Sequence, residues 1–285
     1  MVSIKTYESD YENQWCPGCG NFGILSAIKD ALVKLDLTPD KVLIISGIGQ
    51  AAKTPHFLKC NTFHGLHGRA LPVATGAKMA NHRLNILVNS GDGDCYGEGG
   101  NHFMHAIRRN LDITLLAHNN KVYGLTKGQA SPTADLGMVT KQQQAGVTSE
   151  SFNPLAVAIS LGAGFVARGF AGNTEHLSNL IQAGFRHKGF SLIDILQPCV
   201  SFNSVNTYDW YKKRVYDLNA KAKHRTEDFT AAITAARVWG DKIPIGIFYR
   251  KEIPTFTDQI PALKKRPLIA KVYSQKRLQA LLSEQ

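Results

Sequence analysis

From residue 24 to about residue 197 the chain alternates short, continuously apolar runs with stretches of helical spacing, and no other feature limits its fold so much. Apolar residues recur at Ile24, Ile28, Leu32 and Leu35, the period of a helix, and "KVLIIS" (41–46) follows as a buried strand. A glycine- and histidine-rich loop (47–69), a small-residue helix near "LPVATGAKMA" and the strand "NILVNS" come next. After these stand a helix near "NHFMHAIRRN", the strand "DITLLAHN" and a polar stretch over 126–152. Helix, strand, helix and strand then succeed one another in "PLAVAISLG", "GFVARGF", "TEHLSNLIQAGFRH" and "FSLIDIL". Strands without a polar face, separated by helices, predict an α/β fold in which a parallel sheet is flanked by helices on both faces. Ligand-binding loops are then expected beyond the carboxyl ends of the strands.

With 285 residues, 44% of them hydrophobic, the chain has enough apolar material for a sizeable core. Its apolar runs are of strand length and fall short of the ~20 residues that cross a bilayer. The polar start "MVSIKTYESDYENQ" has no apolar segment of the kind a secretory signal needs, so a cytoplasmic protein without a membrane partner is expected. The net charge is +11, and residues 201–285 hold 16 Lys plus Arg against 8 Asp plus Glu, an excess of 8. Such a surplus favours acidic partners. No zinc-finger spacing, helix-turn-helix or aromatic-interleaved RNA motif accompanies it, so nucleic acid is not expected. The last 85 residues lose the alternation and read as a basic extension that wraps the domain or a partner. The division expected is therefore 1–206 for the α/β domain and 207–285 for the extension.

Two loops carry the chemistry. "SGDGDCYGEGG" follows one strand and "HNNKVYGLTKG" the next. Glycines on either side of Asp92 let backbone approach a ligand, and its carboxylate offers a hard oxygen to a divalent cation. Residues 94–118, 25 positions, fit one helix and one strand returning to the same sheet edge, which sets Asp92 beside Asn120. The two can share Mg²⁺ with phosphate oxygens. No GxGxxG pattern supports a nicotinamide cofactor. Near the N-terminus "NQWCPGCGNFGIL" places Cys16 and Cys19 at C-x-x-C spacing, open to zinc, an iron–sulfur cluster or a turn. Five cysteines, an odd number without a secretory context, argue for reduced thiols.

GDG followed some two dozen residues later by NN resembles the thiamine diphosphate motif. That resemblance implies metal ligation by Asp92, Asn120 and the main-chain carbonyl of Val122. The stretches "WCPGCGNFGIL", "HGLHGRALPVATGAK", "GDGDCYGEGGNHFMHAIRRN", "YGLTKGQASPT" and "PCVSFN", in this order over about residues 13–206, resemble the β subunit of 2-oxoacid:ferredoxin oxidoreductases, most closely the 2-oxoglutarate type. The family implies thiamine-dependent oxidative decarboxylation of a 2-oxoacid to acyl-CoA and CO₂, or the reverse carboxylation, with electrons passing through a [4Fe–4S] cluster to ferredoxin. Cys16, Cys19 and Cys199 are then cluster ligands. Where the family carries "GIGC" this chain reads "GIGQ", with Gln50 in the cysteine's place. Cys60, ten residues on in the same loop, is the favoured fourth ligand, with Cys95 or an incomplete site as alternatives.

His64, His67 and Arg69 precede a helix and can meet diphosphate oxygens, and the resemblance singles out His67. Ile48, Gly49, Gln50 and Ala51 are expected along the cofactor, as are Gly93, Asp94, Gly124 and Leu125. Lys127 can pair with the distal carboxylate of 2-oxoglutarate. No glutamate stands where one activates thiamine; Glu98 lies on the diphosphate side. The resemblance assigns that glutamate, and the coenzyme A surface, to an α subunit in an αβ or α2β2 assembly. Two rival readings stay open: a non-redox thiamine decarboxylase or synthase subunit, and a non-catalytic zinc- or nucleic-acid-binding module.

Overall fold

A computed structural model describes residues 2–220, 224–263, 266–270 and 274–283, the side chain of Arg277 excepted. Ten strands are present: β1 (Val42–Ser46), β2 (Asn61–His64), β3 (Asn85–Gly91), β4 (Ile113–Asn119), β5 (Val122–Tyr123), β6 (Gln129–Ala130), β7 (Phe165–Phe170), β8 (Phe190–Leu196), β9 (Val215–Asp217) and β10 (Ile243–Arg250). Eight form one sheet in the order β2-β1-β3-β4-β8-β7-β10-β9, and β5 pairs with β6 in a small hairpin. Every pair in the large sheet is parallel except β10 with β7.

Helices cover both faces. On one side α1 (Gly20–Lys34) packs against α5 (Thr174–Arg186). On the other lie α2 (Ala70–Ala80), α3 (Gly100–Arg109), α4 (Pro154–Ser160) and α7 (Phe229–Ala236). The short α6 (Tyr208–Lys212) sits beside β10, and α8 (Gln275–Ser283) ends the described chain. Strand residues divide between the two layers by the period of two that a pleated strand imposes. Ile113, Leu115 and Ala117 of β4 join the α2/α3/α4 core, whereas Leu116 joins the α1/α5 core. The stripe Ile24, Ile28 and Leu32 on α1 is fully buried, worth about 1.5–3 kcal/mol per side chain. Asn153 and Asn173 cap α4 and α5 by accepting from the N–H groups of Ala156 and His176.

The chain beyond residue 206 departs from the reading as a wrapping extension. β10 enters the sheet antiparallel to β7, α7 packs on α4, and β9 completes the edge. Pro244 and the left-handed Gly246 (φ 123°) interrupt the pattern of β10, and β9 pairs over only three residues, so neither shows as a strand by periodicity. Of the basic run "KKRP", Lys264 and Lys265 lie outside the described residues. The 47–69 loop also holds an unforeseen strand, β2.

Asn110 ties the C-terminal segment to the core. It ends α3 in the left-handed region (φ 48°), accepts from the Phe190 N–H at 2.9 Å and donates to the carbonyls of Ile253 and Pro254 at 3.2 and 3.1 Å. Asn110→Ala is expected to lose about 2–4 kcal/mol of stability, through the lost bonds and the positive φ. Chemical denaturation measures this, and a loss below about 0.5 kcal/mol, the size of a neutral surface change, would remove Asn110 as an anchor.

Candidate active site

The carboxyl ends of β1, β3 and β4 surround a cavity of about 90 Å³. Ile48, Gly49, Gln50 and Ala51 line it from the loop after β1, and His67 from the segment before α2. Asp92, Gly93 and Asp94 follow β3, and Asn120, Val122, Gly124 and Leu125 follow β4. Of the residues expected along the diphosphate or its metal, all but His64 and Arg69 thus stand on one wall or another, joined by Tyr123 and Thr126. Arg69 and His64 do not line it, and the His64 ring nitrogen meets Ser46 and the Ala52 carbonyl instead.

Asp92 is 1% exposed, and its Oδ2 accepts from the Lys121 N–H at 3.0 Å and from the hydroxyls of Ser131 and Thr133, each at 2.6 Å. Burial pushes its carboxyl above the usual range, and the two hydroxyls oppose that shift. Among the described residues no ion-pair partner reaches it. A buried carboxylate with donors on one oxygen and no cation is relieved by a bound divalent ion, so these residues fit one. Asn120 Oδ1 accepts from the Val122 N–H at 3.0 Å, and Asn203 holds the Asn120 carbonyl at 3.2 Å.

Asp94 plays another part. Its Oδ1 accepts from the Ile48 N–H (3.1 Å), the Gly68 N–H (2.7 Å) and His67 Nδ1 (2.6 Å), while Ser90 donates to Oδ2. One carboxylate therefore clamps the loops after β1 and β3 to the segment before α2. His67 Nδ1 is committed to it, which leaves Nε2 as the atom free to meet a ligand. Gly47 packs so tightly on this carboxylate that a Cβ would overlap it, and a Cβ on Gly93 would overlap the Tyr123 ring. A π-helical turn over Gly93–Glu98 lets the chain pass from β3 to α3 around the clamp.

A second cavity, of about 50 Å³, adjoins the first through Gln50, Asn120 and Gly124, which line both. Cys16, Cys19 and Cys199 line it, with Gln197. The Cys19 N–H closes a turn on the Cys16 carbonyl at 2.9 Å, and the Trp15 indole donates to the Gln50 carbonyl at 2.8 Å, which pins the C-x-x-C segment here. Burial pushes the Cys19 thiol up to about 11 and raises that of Cys199. The side-chain oxygens of Gln50 and Gln197 are buried without partners. Three thiols in a cavity with orphaned acceptors fit a thiolate-bound group, although no three His, Cys, Asp or Glu among the described residues converge as a single ion requires.

Cys60 is not brought to this cavity. It precedes β2, where Asn61 pairs with Leu43 near the amino end of β1, about 10 Å along the strands from the level of Ser46. There it packs against the α1/α5 core, and burial pushes its thiol up to about 12. The reading that a long loop delivers it fails because β2 fixes that loop in the sheet. Cys95 is buried in the opposite core, its thiol raised by burial. Lys127 is exposed at φ 80° and stands just past the wall formed by Gly124–Thr126.

The stretch "GQASPT" matches the family without marking Ser131 and Thr133 as partners of Asp92, and Ser90 and Trp15 were likewise unforeseen. A hydroxyl some 40 positions from its acceptor leaves no periodic trace.

A family profile of the thiamine pyrophosphate enzyme C-terminal TPP-binding domain matches residues 46–195, and a profile of the C-terminal part of the pyruvate ferredoxin oxidoreductase β chain matches residues 199–265. Fold and site together define a thiamine diphosphate-binding enzyme domain. The chain is 48% identical over 258 residues (87% of this chain, 85% of the relative) to the 2-oxoacid:ferredoxin oxidoreductase subunit beta of Saccharolobus solfataricus. It is 42% identical over 209 residues (73% of this chain, 56% of the relative) to the 2-oxoglutarate oxidoreductase subunit KorB of Mycobacterium tuberculosis. Among solved structures it superposes on a 2-oxoglutarate:ferredoxin oxidoreductase from Magnetococcus marinus, bound to 2-oxoglutarate, coenzyme A and succinyl-CoA, with a TM-score of 0.91 and 36% identity over 98% of this chain and 96% of that one. The chain belongs to the β subunits of the 2-oxoacid:ferredoxin oxidoreductases, enzymes that work with an α subunit. No helix among the described residues is long and apolar enough to cross a membrane.

Asp94→Ala leaves four donors unpaired, three to one oxygen and Ser90 to the other, at about 1–3 kcal/mol each where buried, and should weaken thiamine diphosphate binding by at least ~100-fold while lowering the melting temperature. Asp94→Asn keeps most of the acceptor geometry and should recover the melting temperature. Titration of the cofactor by tryptophan quenching checks this, and tight binding by Asp94→Ala would end the clamp's role.

Proposed function

We propose that this chain is the β subunit of a cytoplasmic 2-oxoglutarate, or broad 2-oxoacid, oxidoreductase that forms acyl-CoA and CO₂ and passes electrons to ferredoxin, or runs the reverse carboxylation. The observation that carries this reading is the common wall of the two cavities, Gln50, Asn120 and Gly124, which sets a cofactor pocket against a thiol pocket. When bound, thiamine diphosphate supplies a nucleophilic carbon for the keto group, and an adjoining [4Fe–4S] cluster supplies single-electron acceptance. Asp92 and Asn120, with the Val122 carbonyl, hold Mg²⁺. His67, oriented by Asp94, presents Nε2 to a diphosphate oxygen. The bound 2-oxoglutarate, coenzyme A and succinyl-CoA of the Magnetococcus structure support that substrate class here.

Cys16, Cys19 and Cys199 hold the cluster, with Gln50 on the wall where relatives of this type carry a cysteine. Gln50 is a poor iron ligand, so the fourth iron is open to an exogenous ligand or to the α subunit. The cofactor cavity, about 90 Å³, is smaller than the ~300–1,000 Å³ that encloses a whole drug-sized ligand. Leu125 at its mouth is 45% exposed and Val200 at the thiol cavity 52% exposed. Apolar rims of this kind support coverage by the α subunit, which brings the activating glutamate. The basic excess over residues 201–285 suits an acidic ferredoxin.

Anaerobically purified with its α subunit, the enzyme should be brown, and 2-oxoglutarate with coenzyme A should bleach its visible band. Cys199→Ser should lower iron content, and Cys60→Ser should leave it unchanged. Colourless, iron-free wild type would sink the redox reading in favour of a non-redox thiamine enzyme.

Lys127 pairs with the distal carboxylate of 2-oxoglutarate once the site closes. Lys127→Ala should raise the KM for 2-oxoglutarate about tenfold and that for pyruvate little, as expected of one charge-assisted contact. Equal effects on both acids in steady-state assays would remove the preference for the longer one.

A further inference from the structure

Behind the strand ends lies a cavity of about 280 Å³ that no step of the proposed reaction uses. Arg168 of β7 reaches it while only 4% exposed, and its Nε and Nη1 are buried without hydrogen-bond partners. Its guanidinium lies between two aromatic rings, 5.5 Å from the centroid of Trp239 and 5.3 Å from that of Phe248. The nearest acid is Asp194, whose Oδ2 is 3.9 Å from Nε, too far for a hydrogen bond. Asp194 is engaged elsewhere, accepting from the Tyr96 hydroxyl at 3.0 Å and from the Asn119 amide at 3.2 and 3.3 Å.

The other deeply buried cation on this wall is satisfied. Lys121, 2% exposed, gives its ammonium to the Thr133 carbonyl and to Asp135, each at 2.8 Å. Arg168 is thus a buried cation beside two aromatic rings, two of its donors without a partner, and it lines open space. An arrangement of that kind is built to receive an anion.

The rest of the wall narrows the choice. Lys121, Arg168 and Arg237 line the cavity against Asp135, Asp194 and Glu150, a formally balanced wall that offers a multiply charged group such as phosphate no excess of cations and suits a single negative charge better. Phe152, Pro154 and Ala236 add apolar surface. We propose that this cavity is a second ligand site, in which Arg168 binds the carboxylate of a small monocarboxylic acid and Trp239 covers its short aliphatic arm. The site is separate from the cofactor cavity, from which the Asn119 and Thr133 side chains divide it: Thr133 faces Asp92 on one side and Asn119 on the other.

The test is calorimetric titration of the enzyme, assembled with its α subunit, with propionate. Wild type should show one saturable site per β chain. Arg168→Met should weaken it by about 10- to 100-fold, the loss of a charged hydrogen-bonding partner, and Arg168→Lys should recover part of that. Trp239→Ala, at a position 38% exposed, should weaken binding several-fold. Absence of saturable binding overturns the proposal, as does affinity left unchanged by both Arg168→Met and Trp239→Ala, which would assign the propionate to the catalytic pocket. Tighter binding of inorganic phosphate than of propionate overturns the monocarboxylate assignment.

Discussion

The Asp94 carboxylate is the interaction on which the site depends. Four donors from three segments meet its two oxygens, and while Ser90 is fixed in β3, Ile48, His67 and Gly68 lie in loops outside the regular elements. Two residues earlier, Asp92 has the same side chain and nearly the same burial but the opposite circumstance. Its donors crowd onto one oxygen and, among the described residues, no ion-pair partner reaches it, so the chain leaves it open to a ligand. A buried acid satisfied by its own chain builds a loop; one left uncompensated builds a binding site. The GDGD sequence places both at the start of the one helical turn that follows β3.

The thiol pocket is fastened by a different device. Neutral His118, pushed down to about 3 by burial, stands between Asn21 at the start of α1 and Asn89 of β3, at 2.9 and 3.0 Å. A neutral imidazole has one N–H and so cannot donate to two amide oxygens. The unpartnered amide nitrogens of Asn21 and Asn89 resolve the conflict, because turning one amide presents its NH₂ to the bare ring nitrogen. The trio then joins α1, which begins just after Cys19, to the β4 strand that ends at Asn119. Since the Trp15–Gln50 bond ties the same segment to the loop after β1, the thiols are registered against the cofactor loops from two sides.

What the sequence disclosed follows the range of the forces involved. Periodicity is local, so β1, β3, β4, β7 and β8 and the helices between them were legible, and with them the adjacency of Asp92 and Asn120. The aspartate–asparagine spacing works because one helix and one strand have a fixed length. Ser131 and Thr133 donate to Asp92 through a loop whose path no period encodes. Cys60 was misjudged for a related reason: four residues of unremarkable composition, Asn61–His64, pair with β1 and hold it at the wrong end of the sheet. β10 was hidden because proline and a left-handed glycine spoil its pattern while its burial among β7 and α7 makes it core.

Gln50 brings these arguments to one point. It lines both cavities, its backbone carbonyl holds Trp15, and its side-chain oxygen is buried without a partner. A cysteine there would give a cluster its fourth thiolate; glutamine, a larger side chain, keeps the backbone contacts while withholding the soft ligand. A cluster bound here without that thiolate would carry less negative charge, and a less negative cluster is easier to reduce. With the proposed cluster bound, glutamine at this position would therefore act on the electron acceptor and spare the cofactor grip, since the hydrogen bonds of Asp92, Asp94 and His67 do not involve the Gln50 side chain. A chain can in this way alter the driving force of its redox step at one position on a wall whose backbone it must preserve.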